Sequence, residues 1–335
     1  MGWVRELVAR RATVDKAIAR AAAERAVLEM VSRGTVAVGD VSNEGWSAAI
    51  LARSILRGVV FLEIYGFRAA DAEELLEGAA ERLEAIDADP DVSAARARIG
   101  VYLTPHASHT TSAALLKALA GRAAAAAEPM SIHVAESEAE SSLLHDGSGT
   151  FVDFLKERGG WDESWKPPGL SPVAHLDHLG VLSPRTIAVH CVHLRQHDLS
   201  KLQTRGVTVI TCPRSNAVLG VGVAPVPKLL GSGIPVALGT DSCASVPDLD
   251  MFAEMAALRQ EHPGLAPATV LRMATLNGAR ALGWGRYLGS IEPGKLAALA
   301  VVPLQDPEDD PFETVTSCPP TAMPVDAAPW ETVSP

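Results

Sequence analysis

Three short apolar runs in this chain end in groups that can hold a metal or move a proton. Met130-Ser131-Ile132-His133-Val134-Ala135-Glu136 delivers an imidazole and, three residues on, a carboxylate. Ile187-Ala188-Val189-His190-Cys191 delivers a second imidazole, and Pro235-Val236-Ala237-Leu238-Gly239-Thr240-Asp241 delivers a second carboxylate. Neutral imidazoles and carboxylates are the donors a zinc-type ion prefers. His133, His190 and Asp241 are therefore the expected ligands of one divalent metal, zinc first, with iron or manganese as alternatives. Glu136, beside them, is the expected acid/base. A carboxylate directly after a buried strand, as at Asp241, is costly unless a metal, a partner or a hydrogen-bond network receives it.

Taken singly, each residue has a plainer reading. His133 or His190 could be a hydrogen-bonded core histidine, Glu136 a solvated side chain, and Asp241 a turn or helix cap. His193 alternates onto the face opposite His190 and is expected to be structural. Thr104-Pro105-His106 ends another apolar run, so His106 could touch substrate or only close its strand. In Cys212-Pro213-Arg214-Ser215-Asn216, Arg214 and Asn216 could bind a polar substrate, while Ser215-Asn216 also reads as a turn. Asp40 and Glu63 end strands too and carry the same ambiguity.

The elements around these residues alternate. Residues 3–32 carry helical periodicity and stop at Gly34. Strand-like runs follow at 35–40, 59–65, 99–103, 130–134, 187–191, 207–212 and 235–238, separated by helical stretches, with further helices at 248–260 and 266–282. Seven strand–helix units in series are the pattern of a parallel α/β fold. No GxGxxG opens a helix after a strand, which disfavours a Rossmann sheet. A (β/α) barrel puts every strand's C-terminal end at one mouth, where all three runs would deliver their polar groups. A closed barrel has eight strands, so the expectation is a TIM-type barrel lacking its first strand. It would span 1–285, followed by the remnant of a small β-sandwich appendage at 286–303. Residues 304–335, rich in Pro, Asp and Glu, read as a loosely ordered tail.

Composition bounds the partners. The chain has 335 residues, 47% of them hydrophobic, with a formal net charge of -11. A surface this acidic argues against nucleic acid or an anionic membrane as partner. No run approaches the roughly 20 apolar residues of a membrane span, and the first residues do not form a signal peptide. Cys191, Cys212, Cys243 and Cys318 form no CxxC pair, so free thiols in a reducing cytoplasm are expected.

As an ordered set these motifs closely resemble the amidohydrolase superfamily, in the branch of metal-dependent cytosine/adenosine-type deaminases and chlorohydrolases. The matching stretches run from Gly34-Thr35-Val36-Ala37-Val38-Gly39-Asp40 through Pro105-His106-Ala107, His133-Val134-Ala135-Glu136, Val189-His190-Cys191, Cys212-Pro213-Arg214-Ser215-Asn216 and Leu238-Gly239-Thr240-Asp241-Ser242. They continue through Met273-Ala274-Thr275 and Gly278-Ala279 to Gly289-Ser290-Ile291-Glu292-Pro293-Gly294-Lys295. The resemblance implies that His133 and Asp241 bind metal, that Asp241 takes a proton from water, and that Glu136 shuttles protons to a ring nitrogen and the leaving amine. It implies that His190 orients the water or, in two-metal relatives, is a further ligand. The implied substrate is a small nucleoside- or nucleobase-like heterocycle.

The chain departs from that pattern twice. The family's first metal motif, His-x-His on the first barrel strand, has no counterpart here, and Ala298 stands where an Asp is usual. The expected account is a shortened start, with unpaired strand edges that invite homo-oligomer pairing. Dechlorination or cyclic amide opening on the same fold, and an inactive shortened barrel, are the alternative functions.

Overall fold

The structure, a computed structural model, describes residues 2–11, 13–304, 306 and 308–317, with the backbone of 323–324. Helices α1 (Gly2–Arg11) and α2 (Lys16–Ser32) precede strand β1 (Ala37–Ser42). Then come α3 (Ser47–Ala52), β2 (Arg57–Ile64), α4 (Ala72–Asp87), α5 (Pro90–Ala94), β3 (Ile99–Pro105), α6 (Ala113–Ala126) and β4 (Met130–Val134). Helices α7 (Glu138–Asp146), α8 (Thr150–Glu157) and α9 (Pro172–His178) lie between β4 and β5 (Thr186–His190). The chain continues through α10 (Gln196–Arg205), β6 (Thr208–Thr211), α11 (Pro213–Leu219), α12 (Val226–Gly231) and β7 (Val236–Leu238). Next come α13 (Met251–Glu261), α14 (Pro267–Arg272), a π-helical turn (Met273–Asn277) and α15 (Gly278–Ala281).

Caps set the helix starts. Asp15 accepts from Ala17 and Ile18 N–H and begins α2, so the periodic stretch at 3–32 is two helices. Ser112, Ser137 and Ser171 each accept an N–H in the first turn of α6, α7 and α9, the usual work of an N-cap oxygen.

The strands are parallel and follow chain order, β1-β2-β3 in one sheet and β4-β5-β6-β7 in the next. The two sheets meet where β3 gives way to β4. Ser131 N–H donates to Thr104 Oγ1 at 2.8 Å, Thr104 Oγ1 donates to Ser131 O, and Ala107 bridges His133. Seven strands therefore curve as a continuous series, the number legible in the sequence. Among the described residues β1 and β7 do not pair with each other.

Two apolar layers form outside the strands. One joins Val60, Leu62, Ile99 and Leu103 to α3 and α4, and the other joins Ile132, Ala188, Val209 and Val236 to the helices of the second half. Burying each such aliphatic side chain contributes about 1.5–3 kcal/mol. Inside the curve, Val59, Phe61 and Ile187 meet Ala281 and Leu282. The segment around α15 thus stands beside β1 and β7. Asn277 Nδ2 donates to Val236 O at 2.7 Å, covering an edge carbonyl of β7.

The C-terminal region differs from expectation. Only Ala300–Val301 (β8) forms a strand in the apolar run at 296–303, pairing antiparallel with Met323–Pro324 (β9). Residues 311–317 are not loosely ordered but form a helix, α16 (Pro311–Ser317). Arg259 Nη1 donates to Glu313 Oε2 at 2.6 Å and to Thr316 Oγ1 at 3.0 Å, and Val315 packs on the main core. The acidic composition hid the one apolar face that docks it. Residues 318–322, with Cys318, and 325–335 lie outside the described residues. Cys191, Cys212 and Cys243 are free thiols. No helix among the described residues is long and apolar enough to cross a membrane.

Candidate active site

The ends of three strands carry backbone in the left-handed region. Ala135 (φ 50°) follows β4, His190 (φ 72°) and Cys191 (φ 51°) end β5, and Asp241 (φ 60°) follows β7. Non-glycine residues rarely adopt this region and pay about 1–3 kcal/mol each when held there. The strain sits where His133, Glu136, His190 and Asp241 are delivered.

These four side chains line one cavity of about 2080 Å³, together with Glu63 and His106. Small-molecule sites are about 300–1,000 Å³. This cavity is larger because it extends from the mouth past β1 to Trp3 and Leu282.

His133 Nδ1 donates to the His106 carbonyl at 2.9 Å, and its ring stacks on that of His190 with centroids 5.5 Å apart and planes 23° apart. His190 is buried. Its Nδ1 lies 2.9 Å from Asn216 Oδ1, and its Nε2 faces Glu136 Oε1 at 3.7 Å. Asp241 Oδ2 accepts from Ser215 Oγ at 2.5 Å and Ser245 Oγ at 3.1 Å, and Oδ1 accepts from Ser242 N–H at 2.8 Å. Burial alone would lower the pKa of His133. The Glu63, Glu136 and Asp241 carboxylates and the His106 carbonyl outweigh it and hold the imidazole above its ordinary value.

The donor set suits a metal. Both imidazoles spend Nδ1 on a protein acceptor, which leaves Nε2 as the lone-pair nitrogen, the arrangement of metal-ligating histidines. Asp241, half-buried and held by three donors, presents a charged oxygen set at the same mouth. The tightest cluster is a different one. Glu63, His106 and His133 have ligand atoms all within 4.8 Å of one another, and His133, His190 and Asp241 are more widely spread.

The expected substrate contacts divide. His106 lines the cavity, its Nδ1 at 2.6 Å from Thr110 Oγ1. Arg214 turns away: Nη1 donates to Asp248 Oδ1 at 2.8 Å, and the side chain lines a separate surface hollow. Asn216 is fully buried on His190 rather than open to the cavity. His193 is bonded at both nitrogens, to Glu138 Oε1 at 3.0 Å and Val221 O at 2.7 Å. Asp40 pairs in register with Val60, on the outer face, where burial pushes its carboxyl above the usual range.

Other groups gain weight. Glu63 reaches the cavity from β2, with Oε1 3.7 Å from His133 Nδ1 and Oε2 accepting from Asn43 Nδ2 at 2.7 Å. Its signal was the carboxylate near the end of Val59-Val60-Phe61-Leu62. Glu140 accepts the Glu136 N–H at 3.0 Å and Ser108 Oγ at 2.7 Å. Its position four residues after Glu136 was visible, but its burial was not.

Parallel strands in an α/β fold therefore present imidazoles and carboxylates from successive C-terminal ends. The chain belongs to the amidohydrolase family, whose model matches residues 2–329. It is 38% identical over 293 residues to a 5-methylthioadenosine/S-adenosylhomocysteine deaminase of Syntrophobacter fumaroxidans, covering 84% of this chain and 61% of that one. It is 33% identical over 295 residues to an aminodeoxyfutalosine deaminase of Deinococcus radiodurans, covering 84% and 67%. An adenosine deaminase structure from Xanthomonas campestris with bound zinc superposes with a TM-score of 0.76 at 29% identity, covering 94% and 69%. The chain thus spans about three fifths of the length of the Syntrophobacter relative.

Proposed function

We propose that this chain is the barrel of a metal-dependent hydrolase that removes the amino group of a purine-nucleoside-like heterocycle as ammonia. The observation that carries this reading is the convergence of His133, Glu136, His190 and Asp241 on one cavity. The deaminase names of the relatives direct it to amino-substituted rings.

His133 and Asp241 would hold one divalent ion, zinc first, and His190 would be a further ligand only where a second ion binds. When bound, that ion supplies Lewis acidity and brings the pKa of water from 15.7 towards about 7. Asp241, its carboxylate fixed by Ser215 and Ser245, accepts a proton from the attacking water. Glu136 gives its proton to the ring nitrogen next to the reacting carbon, takes up the remaining proton of the added hydroxyl and passes it to the departing amine, and the proton held by Asp241 returns to Glu136 after the reaction. The ring amine and water become a ring carbonyl and ammonia. His190 orients the water with Nε2, while Asn216 holds its other nitrogen. Glu63 and His106 offer an acceptor and an imidazole to the rest of the substrate, such as hydroxyl groups on a sugar.

The test is an ammonia-release assay on the zinc-loaded chain with adenosine, 5′-methylthioadenosine, 5′-deoxyadenosine and S-adenosylhomocysteine, with a chloro-triazine and a cyclic amide beside them. Ammonia and a hypoxanthine-type product support the proposal. Chloride release or ring opening without ammonia replaces it with another hydrolase chemistry, and no turnover of any substrate removes it.

A further inference from the structure

The two groups assigned to the water, His190 and Asp241, arrive from different strands, β5 and β7. Each is held by one of two consecutive residues. Asn216 Oδ1 lies 2.9 Å from His190 Nδ1, and Ser215 Oγ lies 2.5 Å from Asp241 Oδ2. Both residues sit in the first turn of α11, directly after β6, and both are fully buried. Asn216 Nδ2 is buried without a partner among the described residues, so the amide keeps Oδ1 on the imidazole at the expense of its own donor.

The same turn is tied down from behind. Glu254 of α13, fully buried, accepts the Arg214 backbone N–H at 3.1 Å with Oε2. The Arg214 guanidinium is fixed on Asp248 at 2.8 Å. One anchor therefore sets the position of residues 214, 215 and 216 together. His190 and Asp241 both carry left-handed backbone, a conformation that persists only where its surroundings over-determine it.

We propose that the first turn of α11 is a single positioning element for both groups, with Asn216 fixing His190, Ser215 fixing Asp241, and Glu254 holding the turn. The roles of His190 and Asp241 rest on the proposed function, but the coupling does not require turnover. In the wild-type chain His190 is the Nδ1–H tautomer, since an amide oxygen only accepts. Ser242 N–H donates to Asp241 Oδ1, so the Ser242 amide resonance reports that carboxylate.

The experiment is ¹⁵N NMR of the histidine rings and backbone amides in the full-length chain at pH 8. The His190 and Ser242 signals are assigned by substitution, and the His175 and His262 rings serve as fold controls. Asn216→Ala is expected to move His190 out of the pure Nδ1–H form and leave Ser242 in place. Ser215→Ala is expected to shift Ser242 and leave His190 in place. Glu254→Ala is expected to move both, and Glu254→Gln, which keeps an oxygen acceptor for Arg214 N–H, to restore both. An Nε2–H tautomer in the wild type overturns the assignment of Asn216. A Glu254→Ala protein in which only one signal moves, or neither, overturns the shared anchor. Should Glu254→Ala fail to fold, Asn216→Ala, Ser215→Ala and Glu254→Gln still decide. Signals that behave as stated in a chain without deaminase activity would refute the proposed function and leave the positioning element standing.

Discussion

Glu140, with no exposed surface, accepts the backbone N–H of Glu136 at 3.0 Å and ties the loop after β4 to Ser108 in the loop after β3. Burial would raise its pKa, but His109, Ser108 and the Glu136 N–H together hold the carboxyl below the usual range, so it stays charged. Glu140→Ala removes both acceptors and leaves Ser108 and the Glu136 N–H unpaired. An orphaned buried donor costs about 1–3 kcal/mol. A displacement of about 1 Å in a reacting group costs on the order of 100-fold in rate. The expected result is a lower melting temperature with kcat reduced about 10- to 100-fold and KM little changed. A fall in stability with kcat intact would confine Glu140 to a structural role.

Glu136 itself is half-buried and faces His190 Nε2 at 3.7 Å. Gln at this position keeps the size but cannot carry protons. General acid–base groups contribute about 10²- to 10⁴-fold, and Glu136→Gln is expected to lose that much of kcat while zinc per chain stays constant. Metal analysis beside steady-state kinetics separates the two effects. Retained activity would move the proton transfer to another group.

The strands and their C-terminal residues were legible because buried parallel strands are written as short continuous apolar runs, and polar residues at their ends stand out. That is why His133, His190, Asp241 and the seven strands could be read in order. The residues that aim these groups were not legible. Ser215 and Asn216 looked like a turn, since nothing local reveals that one helical turn reaches two strands. Arg214 looked like a ligand for substrate. Its commitment to Asp248, 34 residues away, is a tertiary fact. The helix at 311–317 was hidden in the same way, because docking on Arg259 and the main core decides its order.

Two buried groups predict opposite slopes of stability with pH. Burial, helped by Asp241 and opposed by Arg214, pushes the Glu254 carboxyl from 4.5 up to about 8. The folded chain therefore keeps a proton that the unfolded chain has lost. That contribution is complete below about pH 4.5 and drains away as pH rises through 8. Burial, then His178 and Lys117, push His175 from 6.5 down to about 4. Its contribution is complete above pH 6.5 and is lost as pH falls towards 4. Melting temperatures of wild type and Glu254→Gln should diverge as pH rises from about 4.5 to 8, the variant being flatter, and run parallel above that. Curves parallel throughout would mean that Glu254 is already ionised in the folded chain.

Gly239, two residues before Asp241, is required by space. A Cβ there would stand 2.8 Å from Ile210 Cγ2 and 3.3 Å from Cys212 Sγ. Overpacking of this kind costs about 1–3 kcal/mol. Gly239→Ala is expected to destabilise by that amount and, by pushing β7 off β6, to move Asp241 and reduce kcat. Denaturant unfolding and kinetics on one preparation check both. An unchanged midpoint would show that Ile210 yields freely.

Metal dependence offers the most direct measurement, because binding to the folded chain alone stabilises it by mass action. Ligand at 100 times its Kd contributes about 2.7 kcal/mol. Zinc added to chelator-treated protein is expected to raise the melting temperature, and a chelator to reverse it. His133→Ala should abolish the rise, because it removes the imidazole whose Nδ1 is fixed on the His106 carbonyl and whose other nitrogen faces the cavity. His193→Ala should keep the rise, since both of its nitrogens are spent on Glu138 and Val221. His106→Ala distinguishes two sites. If the ion sits with His133 and Asp241, this variant keeps most of the zinc response. If it sits in the tighter cluster of Glu63, His106 and His133, the response is lost with His106.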